Sequence, residues 1–361
     1  MTRTSRRKKR TGRGRRSRPK PQRIRRFTGA RMSNENLLAT RLRDLNLRVE
    51  GTWLEECIQE LYADLENRGI RFRPHFWLSN DWFSPDGVPG IAIPFYLAHP
   101  RLMRLERSQM LETEGSSREE FMKILRHECG HAFQHAYQLQ RRHAWQKLFG
   151  KSSRKYPEVY RPNPASRRYV QHLQWYYAQA HPDEDFAETF AVWFQPRAVW
   201  RKRYDGWHAL KKLEYVGRLV EELRKATPVN RSRLQVDPLR KLGKTLREHY
   251  EDKKKLYELG FPDAYDRELK ILFSEENKHR GHELASAFLT RNRADIRGLV
   301  SRWTGEYQFT VEQVLGDMIG RCRELKLRAV GSDRTLRMDF AVLLTVKTMQ
   351  FLYNRRNWVA L

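Results

Sequence analysis

His127-Glu128-Cys129-Gly130-His131 carries the HExxH pattern, and the residues around it read as one helix from Ser117 to Arg141. Ser117 and Glu120 make a capping-box pair at its start, Phe121, Ile124 and Leu125 follow at helical spacing, and no proline interrupts. Residues four apart on a helix stand one turn apart on the same face, so His127 and His131 can grip a single metal ion. Glu128 sits beside them, where a carboxylate can take a proton from water that the metal has acidified. Two histidines leave such an ion short of a third protein ligand.

Three known arrangements supply that ligand differently. A metzincin extension would place a glycine and a third histidine where this chain has Gln134 and Tyr137. SprT-like sites often carry a four-cysteine zinc ribbon, but Cys57, Cys129 and Cys322 are too few and too far apart to form one. Gluzincins use a glutamate from a second helix, and His181-Pro182-Asp183-Glu184-Asp185-Phe186-Ala187-Glu188-Thr189-Phe190-Ala191 fits that pattern. Pro182 suits a helix start, and the acids after it suit the positive end of the helix dipole. Phe186, Phe190 and Phe194 then run at helical spacing into a core. Glu184 and Glu188 fall on one face, Glu184 as the natural ligand and Glu188 as the natural acceptor for a ring N–H of His127. Asp183, Asp185 and Glu188 stay open as alternative third ligands.

The stretch from Tyr177 to Glu188, following HECGH, resembles the gluzincin-type zinc-binding metallopeptidases of bacteria. It is also similar to the catalytic domain of anthrax lethal factor, in which a tyrosine seven residues before the ligand glutamate assists the reaction. The resemblance spans roughly residues 70–195. It implies one Zn2+ per chain held by His127, His131 and Glu184, Glu128 as general base, and Tyr177 as the hydroxyl facing the oxyanion. It also implies a small sheet before the HExxH helix, with its edge strand along the cleft. Many members of the group lack an established substrate, so the resemblance names a chemistry and leaves the biology open.

Other candidates read differently. Tyr177 follows Trp175 and Tyr176, so simple aromatic packing competes with a catalytic role. His135 continues the face of His127 and His131 one turn further on, too far to share their ion, and reads as a polar face residue. His143, His172 and His181 have no assigned role. His282-Glu283 begins a second HE pair, but Ser286 stands where the second histidine belongs. Cys129 reads as a core-facing position, since no base accompanies its thiol.

The expected fold class is α+β and mostly helical: a zincin-like unit over residues 32–226, then an all-helical region of unknown role over 227–361. Phe72–Leu78 and Gly90–Leu97, rich in aromatic and β-branched residues, flank the turn Ser84-Pro85-Asp86-Gly87 and read as strands. Pro94 favours an edge position, so Ile91–Tyr96 is the candidate edge, either open for a peptide to pair along or an ordinary edge closed by a loop. Residues 145–180 form an irregular stretch over the cleft. The C-terminal helices are expected at Pro238–Leu259, Pro262–Phe273, His282–Trp303, Thr310–Leu327 and Ser332–Arg355.

The chain carries a formal charge of +28, and residues 1–31 alone hold fifteen Lys or Arg and no acid. Such a segment cannot bury enough apolar surface to fold and reads as a disordered arm able to bind nucleic acid or another polyanion. No apolar run follows the arginines, so neither a Sec nor a twin-arginine signal is expected, and no stretch is apolar enough to span a bilayer. Three scattered cysteines without an export signal point to the cytoplasm. Two function classes follow: a zinc peptidase acting on a peptide or protein, or a nucleic-acid-associated binding protein with a structural or relict zinc site. A peptidase acting on nucleic-acid-bound proteins combines them. The intact Glu128 favours catalysis, because a structural zinc site has no use for a carboxylate beside its ligands.

Overall fold

The computed structural model describes residues 27, 29–157, 159–160, 162–196, 199–256, 265–354 and 359–360. Most of the basic arm, residues 1–26 and 28, therefore lies outside the described residues. The chain is mostly helical with a small parallel sheet, a zincin-like α+β arrangement.

Helix α1 (Trp53–Asn67) leads into strand β1 (His75–Ser79) and strand β2 (Gly90–Pro94). Helices α2 (Pro100–Met110) and α3 (Arg118–Tyr137) follow, then α4 (His143–Phe149), α5 (Pro182–Phe194) and α6 (Ala209–Leu223). Helix α3 starts as expected, with the Ser117 hydroxyl accepting the Glu120 N–H at 3.2 Å. It stops at Tyr137 and not at Arg141, because Gln138 turns left-handed (φ 51°) and sends its own N–H back to the Gln134 carbonyl. Leu139–Arg141 continues only as a 3-10 turn.

The two strands pair in parallel, His75 opposite Gly90 and Ser79 opposite Pro94. Each is shorter than expected: β1 begins after Pro74, and β2 ends at Pro94, where the chain enters a 3-10 turn over Phe95–Ala98. The free-edge expectation for Ile91–Tyr96 does not hold. The segment before Ser84 folds back along β2, and the Ala92 N–H donates to the Phe83 carbonyl at 2.9 Å, so the chain's own loop takes the position a peptide would need. Every residue of β2 is buried.

One core gathers α1, both strands and α2 to α6. It includes Phe121, Phe133, Trp145, Phe186, Phe190 and Phe194, and it also takes in Leu239, Leu246 and Tyr250. Beyond α6 the backbone is sewn onto this unit: the Asn230 N–H reaches the Ala136 carbonyl at 3.0 Å, and the Trp77 indole N–H reaches the Val236 carbonyl at 2.8 Å. Helix α7 (Leu246–Leu256) then packs on the same core through Tyr250. The expected helix from Pro238 is delayed because the Lys244 and Leu242 carbonyls accept the N–H groups of Leu42 and Arg43 in place of helical partners.

A second core joins helices α8 (Asp266–Leu272), α9 (Ala285–Arg291), α10 (Arg293–Thr304), α11 (Gln308–Glu324) and α12 (Asp333–Asn354). The helix expected over His282–Trp303 is broken at Asn292, whose side-chain amide donates to the Phe288 carbonyl at 2.9 Å. Phe309, at the start of α11, packs against the first core. A two-residue antiparallel pair also joins Val159–Tyr160 to Val359–Ala360. Among the described residues no helix is long and apolar enough to cross a membrane.

Candidate metal centre

Helices α3 and α5 cross at the site. Gly130 and Ala187 mark the closest approach, since a Cβ added to Gly130 would stand 2.8 Å from the Ala187 Cα. The aromatic stripe locks the crossing: Phe186, Phe190 and Phe194 are fully buried, and the rings of Phe133 and Phe190 stack at 5.2 Å. Helix α5 begins on a histidine that sequence reasoning left unassigned. Nδ1 of His181 accepts the Asp183 N–H at 3.2 Å, while its Nε2–H donates to the Arg154 carbonyl at 2.7 Å. His181 thus caps the helix and ties it to the loop over the cleft.

Three donor atoms converge between the helices. Nε2 of His127 lies 3.0 Å from Oε2 of Glu184, Nε2 of His131 lies 3.1 Å from the same oxygen, and the two nitrogens are 3.1 Å apart. Four-coordinate zinc with ligand bonds of ~2.0–2.1 Å requires separations on the order of 3.3 Å, close to those found. Nδ1 of His127 donates to Oε1 of Glu188 at 2.8 Å, which orients the ring and turns Nε2 toward the other two atoms. Glu188 is completely buried, and its second oxygen accepts the Leu173 N–H at 2.9 Å.

The electrostatics ask for a cation at this point. Burial alone would push His127 down, yet its bonds to Glu184 and Glu188 hold it up at about 10. Burial alone would raise Glu184, and the imidazoles of His131 and His127 instead keep it well below the usual carboxylate range. Protons on the two imidazoles balance the two buried carboxylates, and a divalent ion held by the same atoms would supply that charge in their place. His127, His131 and Glu184 are the one group of this kind among the described residues.

The other acids of α5 are engaged elsewhere. Asp183 accepts from the Gln134 amide at 2.7 Å and the Ser152 hydroxyl at 2.8 Å, and Asp185 pairs with Lys212 at 2.6 Å. Glu128 is buried, its carboxyl pushed up by that burial, and its Oε2 has no hydrogen-bonding partner among the described residues. Tyr177 sits beside the centre with its ring 5.6 Å from that of His127, delivered by a left-handed residue, Tyr176 (φ 56°). His135 is buried and not a solvated face position; burial, with His131 nearby, takes it down to about 4, so the ring is neutral. Cys129 faces the core as expected, and burial pushes its thiol up.

Tyr156 was not singled out in the sequence. Its hydroxyl donates to Oε1 of Glu184 at 2.9 Å, leaving Oε2 for the other donors, and its ring stacks on His181 at 3.7 Å. Only its place in the Tyr156-Pro157 loop over the cleft hinted at this. The centre opens into a cleft of about 160 Å3, lined by Trp82, Phe83 and Asp86 and, near the donors, by Tyr156 and Tyr177.

A protein family described as "putative zinc-binding metallo-peptidase" matches residues 104–203, a segment that contains every donor just described. That match and the His-His-Glu cluster together support a zinc metallopeptidase. No curated protein and no solved structure matches the chain.

Proposed function

We infer that this chain is a zinc-dependent peptidase that hydrolyses peptide bonds in a peptide or protein substrate. The observation that carries the reading is the buried Glu128 oxygen, without a partner among the described residues, beside a cluster that offers three protein ligands among them. Structural zinc sites close the fourth position with Cys or His, and have no use for a free carboxylate there.

A bound Zn2+ supplies Lewis acidity at this point, making water a stronger acid and a carbonyl a better electrophile. His127, His131 and Glu184 would hold one ion, with Glu188 fixing the orientation of His127 and Tyr156 restraining Glu184. Glu128 accepts the proton of the attacking water and returns it to the leaving amine. Burial keeps the phenol of Tyr177 protonated, so it can donate to a developing oxyanion, whereas the Tyr156 O–H is already given to Glu184. The position of Tyr177, seven residues before Glu184, supports the likeness to the catalytic domain of lethal factor.

The decisive experiment replaces Glu128 with Gln. The variant should keep zinc and thermal stability while losing cleavage of a peptide library. A wild-type protein that binds zinc and cleaves nothing in such a library ends the peptidase reading. Cleavage surviving in Glu128→Gln removes Glu128 as the base.

A further inference from the structure

The turn from Ser84 to Gly87 is pinned to the helix that carries both histidines. The Ser84 hydroxyl donates to the Glu128 carbonyl at 3.1 Å, and the Gly87 N–H donates to Nδ1 of His135 at 3.3 Å. The Asn230 amide holds the Gly87 carbonyl at 2.6 Å, while its own N–H is bonded to Ala136 of the same helix. This anchored turn presents Asp86 in the wall of the cleft with its side chain 97% exposed.

Asp86 faces the helix that carries the histidines. Its neighbour is Nε2 of His135 at 3.8 Å, and because Nδ1 of that ring accepts the Gly87 N–H, a neutral ring carries its proton on Nε2. The ring therefore faces Asp86 as a dipole and not as a cation. Among the described residues no Lys or Arg lines the cleft, whereas Asp86, Glu128, Asp183 and Glu184 do, with His127, His131 and His135. Asp183 is satisfied by the neutral Gln134 and Ser152. Glu128, Asp183 and Glu184 are buried, so Asp86 is the carboxylate that this cleft presents to solvent, on a chain of formal charge +28.

We propose that Asp86 selects substrates with a cationic group beside the scissile bond, an ammonium or guanidinium from a Lys or Arg side chain or from a free α-amino terminus. The proposal rests on the peptidase reading and names its substrate class. Trp82 and Phe83 line the same cleft and give the methylene stem of a long basic side chain apolar surface to lie on.

The test uses the zinc-loaded, full-length protein and position-scanned peptides in two arms, N-acetylated and free. Lys or Arg at one position, or a free terminus, should raise kcat/KM over Ala or the acetylated form by roughly 5- to 10-fold. Asp86→Asn should bring that ratio close to one, and Asp86→Lys should invert it in favour of Glu or Asp. Because the ratio is taken within each variant, a general loss of activity does not imitate the effect. The two arms tell a side chain from a terminus. A wild-type ratio near one, or a ratio that Asp86→Asn leaves unchanged, overturns the proposal while the peptidase reading stands. Binding of fluorescent Lys- and Ala-containing peptides to Glu128→Gln separates the remaining case: charge-dependent binding lost in the Asp86→Asn double variant supports cation selection even if the wild type cleaves nothing, and its absence overturns it.

Discussion

Gly130 lies against Ala187 where the two site helices cross, with room for a hydrogen and not for a methyl group: an added Cβ would meet the Ala187 Cα at 2.8 Å and its carbonyl oxygen at 3.1 Å. The contact is backbone to backbone, so no side chain can rotate away to relieve it. It sets the distance between His127 and His131 on one helix and Glu184 and Glu188 on the other.

Gly130→Ala should therefore force the helices apart and weaken zinc binding more than its size suggests. Overpacking of this kind costs about 1–3 kcal/mol of stability. Calorimetry and a chelator competition check both effects; unchanged zinc affinity would show that the crossing tolerates the extra carbon.

Glu188→Gln keeps the shape but loses the charged acceptor for Nδ1 of His127. Zinc affinity should fall roughly 10- to 100-fold, the usual cost of removing an outer-shell partner. Competition with a fluorescent chelator measures it, and a change below threefold would assign Glu188 to packing alone.

Tyr177→Phe and Tyr156→Phe divide the two hydroxyls. If Tyr177 meets the oxyanion, its loss should lower kcat by about 10- to 1000-fold with zinc retained. Tyr156 already bonds Glu184, so its loss should appear partly in zinc affinity. Titrating zinc into each variant, followed by kinetics at saturation, distinguishes them.

His249 gives a pH dependence far from the metal. Its ring is buried against Phe95 and Tyr250, and burial, helped by Lys253 and Lys244, takes it down to about 4. The unfolded chain takes up this proton near pH 6.5, so stability is full above that and is lost as pH falls towards 4. Between pH 7 and 5 the loss from this residue should be about 2 kcal/mol. His249→Phe should remove that share, read from denaturant unfolding at the two pH values; an equal loss in both proteins would assign the acid sensitivity elsewhere.

Deleting residues 1–31 should weaken binding to DNA, RNA or another polyanion and flatten its dependence on salt, while zinc content stays the same. Affinity that survives the deletion would move the binding to the folded surface.

Which side chains share a face at the site was legible from local pattern. HExxH puts two imidazoles on one helical face wherever a helix forms, and the Pro182 start with Glu184 and Glu188 four apart does the same for the carboxylates, because 3.6-residue periodicity is a property of the chain alone. Helix ends were less legible. Gln138 and Asn292 end or break their helices through local conformation and a side-chain bond that no hydrophobic spacing signals.

Tertiary structure decided what depends on residues far apart in the chain. The spacing of Glu184 from the two histidines rests on the Gly130–Ala187 approach, and the roles of Tyr156 and His181 rest on a loop folding back over α5. The choice of Glu184 over Asp183 and Asp185 became visible only once Gln134, Ser152 and Lys212 were seen to hold the alternatives. The closed edge of β2 had the same origin, since whether Phe83 or a substrate pairs with Ala92 depends on the path of the loop between the strands. Sequence period determines which side chains share a face, and long-range packing determines what that face meets.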